Sequence, residues 1–312
     1  MWLKKGVLLH VDNCNDWMIS HAGVPTALQV DMSTIRIYFT PRNAMGKSLP
    51  TFFDVDAYDP SIIKYVHKKP ILELGEVGTF DDDGVTVCSA VRVSESKIYL
   101  YYVGWNQSVS VPYRNAIGLA ISNDNGITFE RAFKGAIVER NRFEPYFTAS
   151  PWVMKELEKW HLWYASATGF VVANEKLEPL YEIKYAQSKD GINWDRKNTT
   201  CISPAVKYQC TARPTVIKEN DIYKMWFTYR GSFDYRDGKE SYQIGYAESL
   251  DAISWMRSDS SSGITLSQTG WDSKMQTYPS VIQAGSKKYL YYNGNGFGKS
   301  GIGWAEWYNE PN

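Results

Sequence analysis

Three stretches of this chain repeat one pattern: Asn115-AIGLAISNDNGITF-Glu130, Tyr181-EIKYAQSKDGINW-Asp195 and Tyr242-QIGYAESLDAISW-Met256. Each alternates apolar and polar residues with the period of two of a pleated strand. Each then turns at Ser-x-Asp and resumes at an aromatic residue, Phe129, Trp194 or Trp255. Gly301-IGWAEW-Tyr308 repeats the first half. A second motif stands ahead of each stretch: Ser89-Ala90-Val91, Pro151-Trp152-Val153, Pro214-Thr215-Val216 and Pro279-Ser280-Val281, with Pro25-Thr26-Ala27 before all four. Their first residues are 64, 62, 63 and 65 apart. Between the motifs runs an aromatic strand: Ile35-RIYF-Thr40, Ile98-YLYY-Val103, Trp160-HLWY-Ala165, Ile222-YKMWF-Thr228 and Lys288-YLYY-Asn293.

A period of about 63 residues filled with short strands specifies radial blades. The expected fold is all-β: a five-bladed β-propeller of four-stranded blades, one domain over 1–312. Its inner strands start near 25, 89, 151, 214 and 279. The last blade runs out of sequence after three strands. Trp2 precedes Pro25 by 23 residues, much as Phe129, Trp194 and Trp255 precede their next prolines by 22, 20 and 24. Trp2-LKKGVL-Leu9 is therefore expected as the missing fourth strand, which would hide the open edges of the sheet.

Composition narrows the function. Lys plus Arg and Asp plus Glu both number 34, giving a net charge of zero and no basic field for a nucleic-acid backbone. No run of 18 apolar residues exists, so no membrane-spanning helix is expected. The N-terminal Met1-Trp2-Leu3-Lys4-Lys5 lacks a secretory pattern, which points to the cytoplasm and to four buried thiols at Cys14, Cys88, Cys201 and Cys210. Neither these cysteines nor His10, His21, His67 and His161 have a zinc-site spacing, so neither metal nor cofactor is expected. With 12 Trp, 22 Tyr and 12 Phe, aromatic residues reach 15%. That enrichment favours pleated strands and a surface that stacks on flat ligands. The sequence does not fix an oligomeric state.

The candidate site follows from the blade layout. The turns joining second to third strands, 40–53, 104–117, 165–182, 229–244 and 293–302, read as long loops on one face, where function concentrates. They carry Arg42, Trp105, Asn106, Arg114, Tyr229, Arg230 and Asn295. Aromatic planes beside Arg and Asn suit a saccharide, whose C–H face stacks and whose hydroxyls take forked hydrogen bonds. The segments before the inner strands supply acids: Asp16, Asp81-Asp82-Asp83, Glu144 beside Tyr146, and Asp272. Asp83 and Glu144 are read as a converging carboxylate pair in solvent-facing loops, with Asp82 beside them. His21 could act as acid or base. Arg213, beside Tyr278 on the neighbouring blade, needs an anion, either Asp83 or Glu144 or a charged group on the ligand.

The repeated Pro-x-Val starts, Tyr-rich second strands and Ser-x-Asp-Gly-x-x-Trp hairpins together resemble the five-bladed glycosidase propellers. These are the arabinanase/xylosidase family 43, invertase-like and mannoside-phosphorylase-like groups, and the resemblance covers essentially the whole chain. The Ser122-N-Asp124-N-Gly126 segment is similar to the Asp-box of sialidase propellers. It reads as a hairpin, which makes Asp124, Asp190 and Asp251 poor catalytic candidates. Family 43 enzymes place acids just before certain of these prolines, whereas this chain has Val24, Ser150 and Arg213 there. The usual acid–base set therefore does not carry over. The resemblance implies a saccharide or glycoside partner, neutral or anionic. Three activities follow: a diverged glycoside hydrolase or transglycosidase using Asp83, Glu144 and His21; a phosphorylase holding phosphate with Arg213, Arg230 or Lys299; or a glycan-binding propeller without turnover.

Overall fold

The computed structural model describes residues 1–236 and 238–308 and arranges them as five four-stranded antiparallel sheets. After β1 (Trp2–Leu9), the first blade holds β2 (Ser20–Asp31), β3 (Thr34–Arg42), β4 (Thr51–Asp56) and β5 (Ile63–Val66). The second holds β6 (Gly84–Arg92), β7 (Ile98–Gln107), β8 (Tyr113–Ser122) and β9 (Glu130–Arg131). The third holds β10 (Thr148–Glu156), β11 (Lys159–Ala173), β12 (Lys176–Ser188) and β13 (Asp195–Ile202). The fourth holds β14 (Cys210–Glu219), β15 (Ile222–Arg230), β16 (Gln243–Ser249) and β17 (Met256–Arg257). The fifth joins β18 (Thr277–Ala284), β19 (Lys287–Asn293) and β20 (Ile302–Trp307) to β1, with Trp2 opposite Trp307 and Leu9 opposite Ile302. The two ends of the polypeptide thus close the last blade, as the spacing of Trp2 predicted. Contacts of β2 with β6 and β18, of β10 with β6 and β14, and of β14 with β18 close the inner strands into a ring.

The Ser-x-Asp stretches fold as hairpins that lock one blade to the next. The Ser122 hydroxyl donates to Asp124 at 2.6 Å and accepts the Gly126 N–H at 2.8 Å, while Asp124 accepts the amides of Ile127 and Thr128. Ser188 with Asp190 and Ser249 with Asp251 repeat the arrangement. The hairpin turns carry positive φ at Gly126 and Gly191, but at Ala252 in the third. From the preceding blade, Tyr38 donates to the Gly126 carbonyl, Tyr101 to Gly191, Trp163 to Ala252 and Trp226 to Ser262. The same four rings stack edge-on against Phe129, Trp194, Trp255 and Trp2, with centroids 5.7 to 6.2 Å apart. Edge-to-face pairs of this kind add about 1 kcal/mol each beyond burial. Every aromatic that set the sequence period therefore sits between blades.

Three expectations change. The segment 104–117 is mostly paired strand, with Gln107 opposite Tyr113 and only 108–112 as the turn. The segment 165–182 is not a loop either: β11 and β12 continue as a ribbon to Asn174-Glu175. Both turn residues have positive φ (49° and 63°), the backbone twist that suits a two-residue hairpin. Cys14 is exposed rather than buried, while Cys88, Cys201 and Cys210 are buried, and all four are free thiols. Among the described residues no helix is long and apolar enough to cross a membrane.

Candidate functional site

The acids before the inner strands have a repeated partner. The Tyr102 hydroxyl donates to Asp81, Tyr164 to both oxygens of Glu144, and Tyr292 to Asp272, at 2.9 to 3.0 Å. In each blade the outer strand adds a cation: Arg131 on Asp81 at 2.8 Å, Arg196 by Glu144 at 3.8 Å and Lys4 on Asp272 at 2.7 Å. All three carboxylates are buried, with no more than 1% exposed. The first and fourth blades carry Phe39 and Phe227 where the others carry the tyrosine, and no acid of this kind. Glu144 is thus a member of a repeating Tyr–acid–cation clamp, not a residue of a solvent-facing loop. Its position in the third-blade copy of this device explains its burial.

The residue before each inner-strand proline faces a different fate. Val24, Ser150, Arg213 and Tyr278 all have positive φ, between 49° and 56°, at bulges that break the register with the second strand. Non-glycine residues adopt that conformation rarely, and bulges re-aim side chains. At the fourth blade the bulge sends Arg213 across the axis. Its Nη1 donates to the Cys88 carbonyl at 2.6 Å, and its Nη2 to the Pro25 carbonyl and Thr26 hydroxyl at 2.9 and 3.0 Å. One guanidinium so ties the first, second and fourth blades together. Arg213 is 0% exposed and its Nε–H has no partner. Neither Asp83 nor Glu144 reaches it, so the internal anion anticipated for Arg213 is absent among the described residues.

Above Arg213, the ends of the second strands and the starts of the third build a tyrosine-rich cluster behind the axial mouth, with Arg230, Tyr181, Tyr235 and Tyr242 all buried. Arg230 stacks over Tyr235 at 3.9 Å and Tyr181 at 5.0 Å, and donates to the hydroxyls of Tyr181 and Tyr242 and to the Pro179 carbonyl. Tyr242 reaches Tyr278 and Phe297 of the fifth blade with centroids 6.4 and 5.8 Å apart. Glu178, brought in by the β11–β12 ribbon, accepts from Tyr235 at 2.6 Å and pairs with Arg236 at 2.9 Å. On the first-blade side stand His21, Arg42 and Lys299. Burial, then the charges of Arg42 and Lys299, push the His21 imidazole down to about 4, so it is neutral near pH 7.

The remaining candidates spread outward from the axis. Asp83 pairs with Lys47 at 3.2 Å and accepts the Gln107 amide at 2.9 Å; that amide bond first, then Lys47, holds its carboxyl below the usual range against some burial. Asp82 accepts the Gly78 amide, and its other oxygen is buried without a partner. Trp105 donates to Ser48 at 2.7 Å and packs over Gly84, where a Cβ would collide with the indole. Asn106 and the half-exposed Tyr146 line a groove of 220 Å³ together with Phe80, Arg114 and Arg140. Arg42, Arg230, Tyr278 and His21 therefore share the mouth, and Arg213 lies beneath it. Asp83, Asp82, Trp105, Asn106 and Tyr146 belong to the second-blade side, and Glu144 to the interior. Glu178, Tyr181, Tyr235 and Tyr242 are not among the candidates offered by the sequence. The ribbon that delivers Glu178 was legible only as unusual length between second and third strands. A separate cleft of 980 Å³ opens at the opposite end of the third and fourth blades, around His161, Glu156 and Lys218. Among the described residues no group of three or more His, Cys, Asp or Glu could hold a metal.

Comparison with known proteins places this geometry. No protein-family model matches the sequence. Solved structures match it over nearly their whole length. One, a glycoside hydrolase, gives a TM-score of 0.75 at 13% identity, covering 98% of this protein and 92% of that one. A structure from a study of GH130 mannoside phosphorylases and glycoside hydrolases gives 0.71 at 14%, covering 98% and 93%. A thermostable family-43 glycoside hydrolase gives 0.66 at 15%, covering 97% and 94%. At such identities the likeness establishes the fold, that of the five-bladed glycoside hydrolase propellers. Two Mycobacterium tuberculosis proteins, MT1551 and Rv1502, are each 33% identical over 305 residues, covering 97% of this protein and 98% of their own length. With a third of its residues shared across almost the entire length, the chain belongs to the family of the Mycobacterium tuberculosis proteins MT1551 and Rv1502.

Proposed function

We propose that this protein is a carbohydrate-active propeller that binds a glycoside at the axial mouth and acts on it as a diverged glycoside hydrolase or transglycosidase. The observation that carries the reading is the mouth itself. Arg230 packs, buried, among Tyr181, Tyr235 and Tyr242, while Tyr278 is partly open and Arg42 and Lys299 are exposed beside them, in the fold that glycoside hydrolases use. A partly open phenol beside exposed cationic donors, backed by a rigid aromatic cluster, is chemistry that suits a pyranose or furanose ring.

Within that cluster, Glu178 is the carboxylate nearest the rings and the one offered for proton transfer, with Tyr235 and Arg236 engaging both of its oxygens. Asp83, kept ionised by the Gln107 amide and Lys47, is retained as the candidate base on the second-blade side. Glu144 does not fit the acid's role, because it lies 1% exposed in the blade interior, held by Tyr164 and Arg196 away from the mouth. His21, neutral near pH 7, would accept rather than donate a proton. Val24, Ser150 and Arg213 at the pre-proline positions favour a second reading, a glycan-binding propeller without turnover. A phosphorylase would hold phosphate with Arg213, Arg230 or Lys299, of which Lys299 is the exposed one.

The test is incubation of the purified protein with a glycoside panel, with and without inorganic phosphate, read by mass spectrometry. Cleaved or transferred products without phosphate support the hydrolase reading, and products that require phosphate select the phosphorylase. Intact glycans that bind without turnover would overturn the enzymatic reading and leave the binding one.

A further inference from the structure

Sites that cleave neutral glycosides surround the sugar with carboxylates, because the transition state is cationic. The centre of this propeller has the opposite charge. Arg213, Arg230, Arg42 and Lys299 carry four positive charges at or just beneath the mouth, and among the described residues none of them is in an ion pair with Asp or Glu. Arg230 donates to phenols, a serine hydroxyl and carbonyls, and Arg213 to two carbonyls and a threonine. Glu178, beside this cluster, is already matched by Arg236. A guanidinium fully removed from water is costly unless paired, and Arg213 keeps one N–H unbonded besides. A fixed charge with low-dielectric walls around it projects its field along the opening.

Resting on the carbohydrate reading above, we infer that the saccharide bound at the mouth is an oxyanion-bearing one, whose carboxylate, sulfate or phosphate sits between Arg42 and Lys299, over the charge of Arg213. Arg42 ends β3 opposite Ser20 of β2, and the Ala22 amide donates to the Gly298 carbonyl next to Lys299, so the two flank the start of β2 from adjacent blades. Both are exposed. The neutral His21 beside them leaves the anion no competing internal partner.

The experiment uses the full-length protein on an array of neutral glycans and their uronate, sulfated and phosphorylated counterparts. Inorganic phosphate serves as a separate competitor. The expected result is retention of the charged members over their neutral counterparts, falling steeply as salt rises from low to physiological ionic strength. Arg42→Ser with Lys299→Ser, both changes at exposed positions, should weaken retention by roughly tenfold or more, the effect of losing charge-assisted hydrogen bonds. Arg213→Met should do the same if it folds, but the surface pair carries the test without it. Competition by millimolar phosphate alone would place a free oxyanion at the site; its absence would place the charge on the glycan. Equal retention of neutral and charged members, or a preference that survives the double variant, overturns the inference and leaves the carbohydrate reading standing. An array that retains nothing overturns both.

Discussion

The hydroxyl of Tyr164 and the carboxylate of Glu144 decide what kind of acid the sequence holds before its inner strands. Both carboxylate oxygens accept from this phenol. Burial, and then the Glu144 charge, pushes the phenol well above its ordinary range, so it stays a donor at every working pH. Glu144→Gln and Tyr164→Phe are therefore expected to lower stability by about 1–3 kcal/mol each, the usual effect of orphaning a buried polar partner. The double variant should fall short of their sum, because the two changes remove one interaction. Urea denaturation of the four proteins checks this; full additivity would contradict it. Glu178→Gln, which weakens the pair of a buried carboxylate with Arg236 and the acceptor for Tyr235, should cost a similar amount, about 1–3 kcal/mol, and in addition abolish any turnover found on the glycoside panel. Retained turnover would remove Glu178 from the mechanism. The sequence displayed the acid before each inner strand but not its role. The tyrosine that claims it is twenty residues further on in the second strand, and only the sheet brings the two together. Asp81 looked unusual as the first of three adjacent acids, yet it proves to be the second-blade copy of the same clamp. The signal that separates clamp from site was present, since Tyr102, Tyr164 and Tyr292 occupy the same place in the repeat and the clamped acids occur only in their blades.

At the scale of the element, period was the informative quantity. Strand order, the hairpins and the closing role of β1 could all be read from the spacing of prolines and aromatics, because every blade solves the same packing problem with the same residues. What period could not show is where one copy departs from the rest, as the β11–β12 ribbon does. Its residues 165–182 alternate weakly, and pairing across Asn174-Glu175 continues as far as Ala173 opposite Lys176. Two perturbations separate the kinds of element. Asp190→Ala removes the acceptor for the Ile192 and Asn193 amides, and the loss should be about 1–2 kcal/mol with ligand retention unchanged, since the hairpin lies at the end of the blade opposite the mouth. Removing residues 1–9 instead strips β20 of its partner and leaves Trp226 without Trp2. That truncated protein should lose its cooperative transition by circular dichroism and calorimetry. A melting temperature equal to that of the full-length protein would show that the ring does not need β1.

For the whole molecule, the same burial that shapes the axis sets its response to pH. His21 on the first-blade side of the mouth and His161 at the far end of the third blade are both pushed from 6.5 to about 4, in each case by burial before any neighbouring charge. Around His161 stand Glu156, Lys159, Lys218, Tyr185 and Tyr223, and around His21 stand Ser20, Arg42 and Lys299. Both imidazoles are neutral when folded, and both take up a proton readily once unfolded. Between pH 6.5 and 4 the unfolded state therefore binds more protons than the native one, so stability rises with pH across that window. It should be complete above about pH 6.5 and decline as the pH falls toward 4. The hairpin carboxylate Asp251 has its own, lower window. The Ser254 and Ile253 amides hold it down to about 2, so its contribution is present above 3.8 and is lost only as the pH falls toward 2. Urea midpoints at pH 7.5, 5.5 and 4.5 should accordingly fall in sequence, and His161→Gln should flatten the slope without abolishing it, because His21 still titrates. A midpoint that is constant from pH 7.5 to 4.5 would mean that the two histidines are reachable by protons in the folded ring. His21 would then be a charged group of the mouth, adding to Arg42 and Lys299 rather than standing neutral beside them.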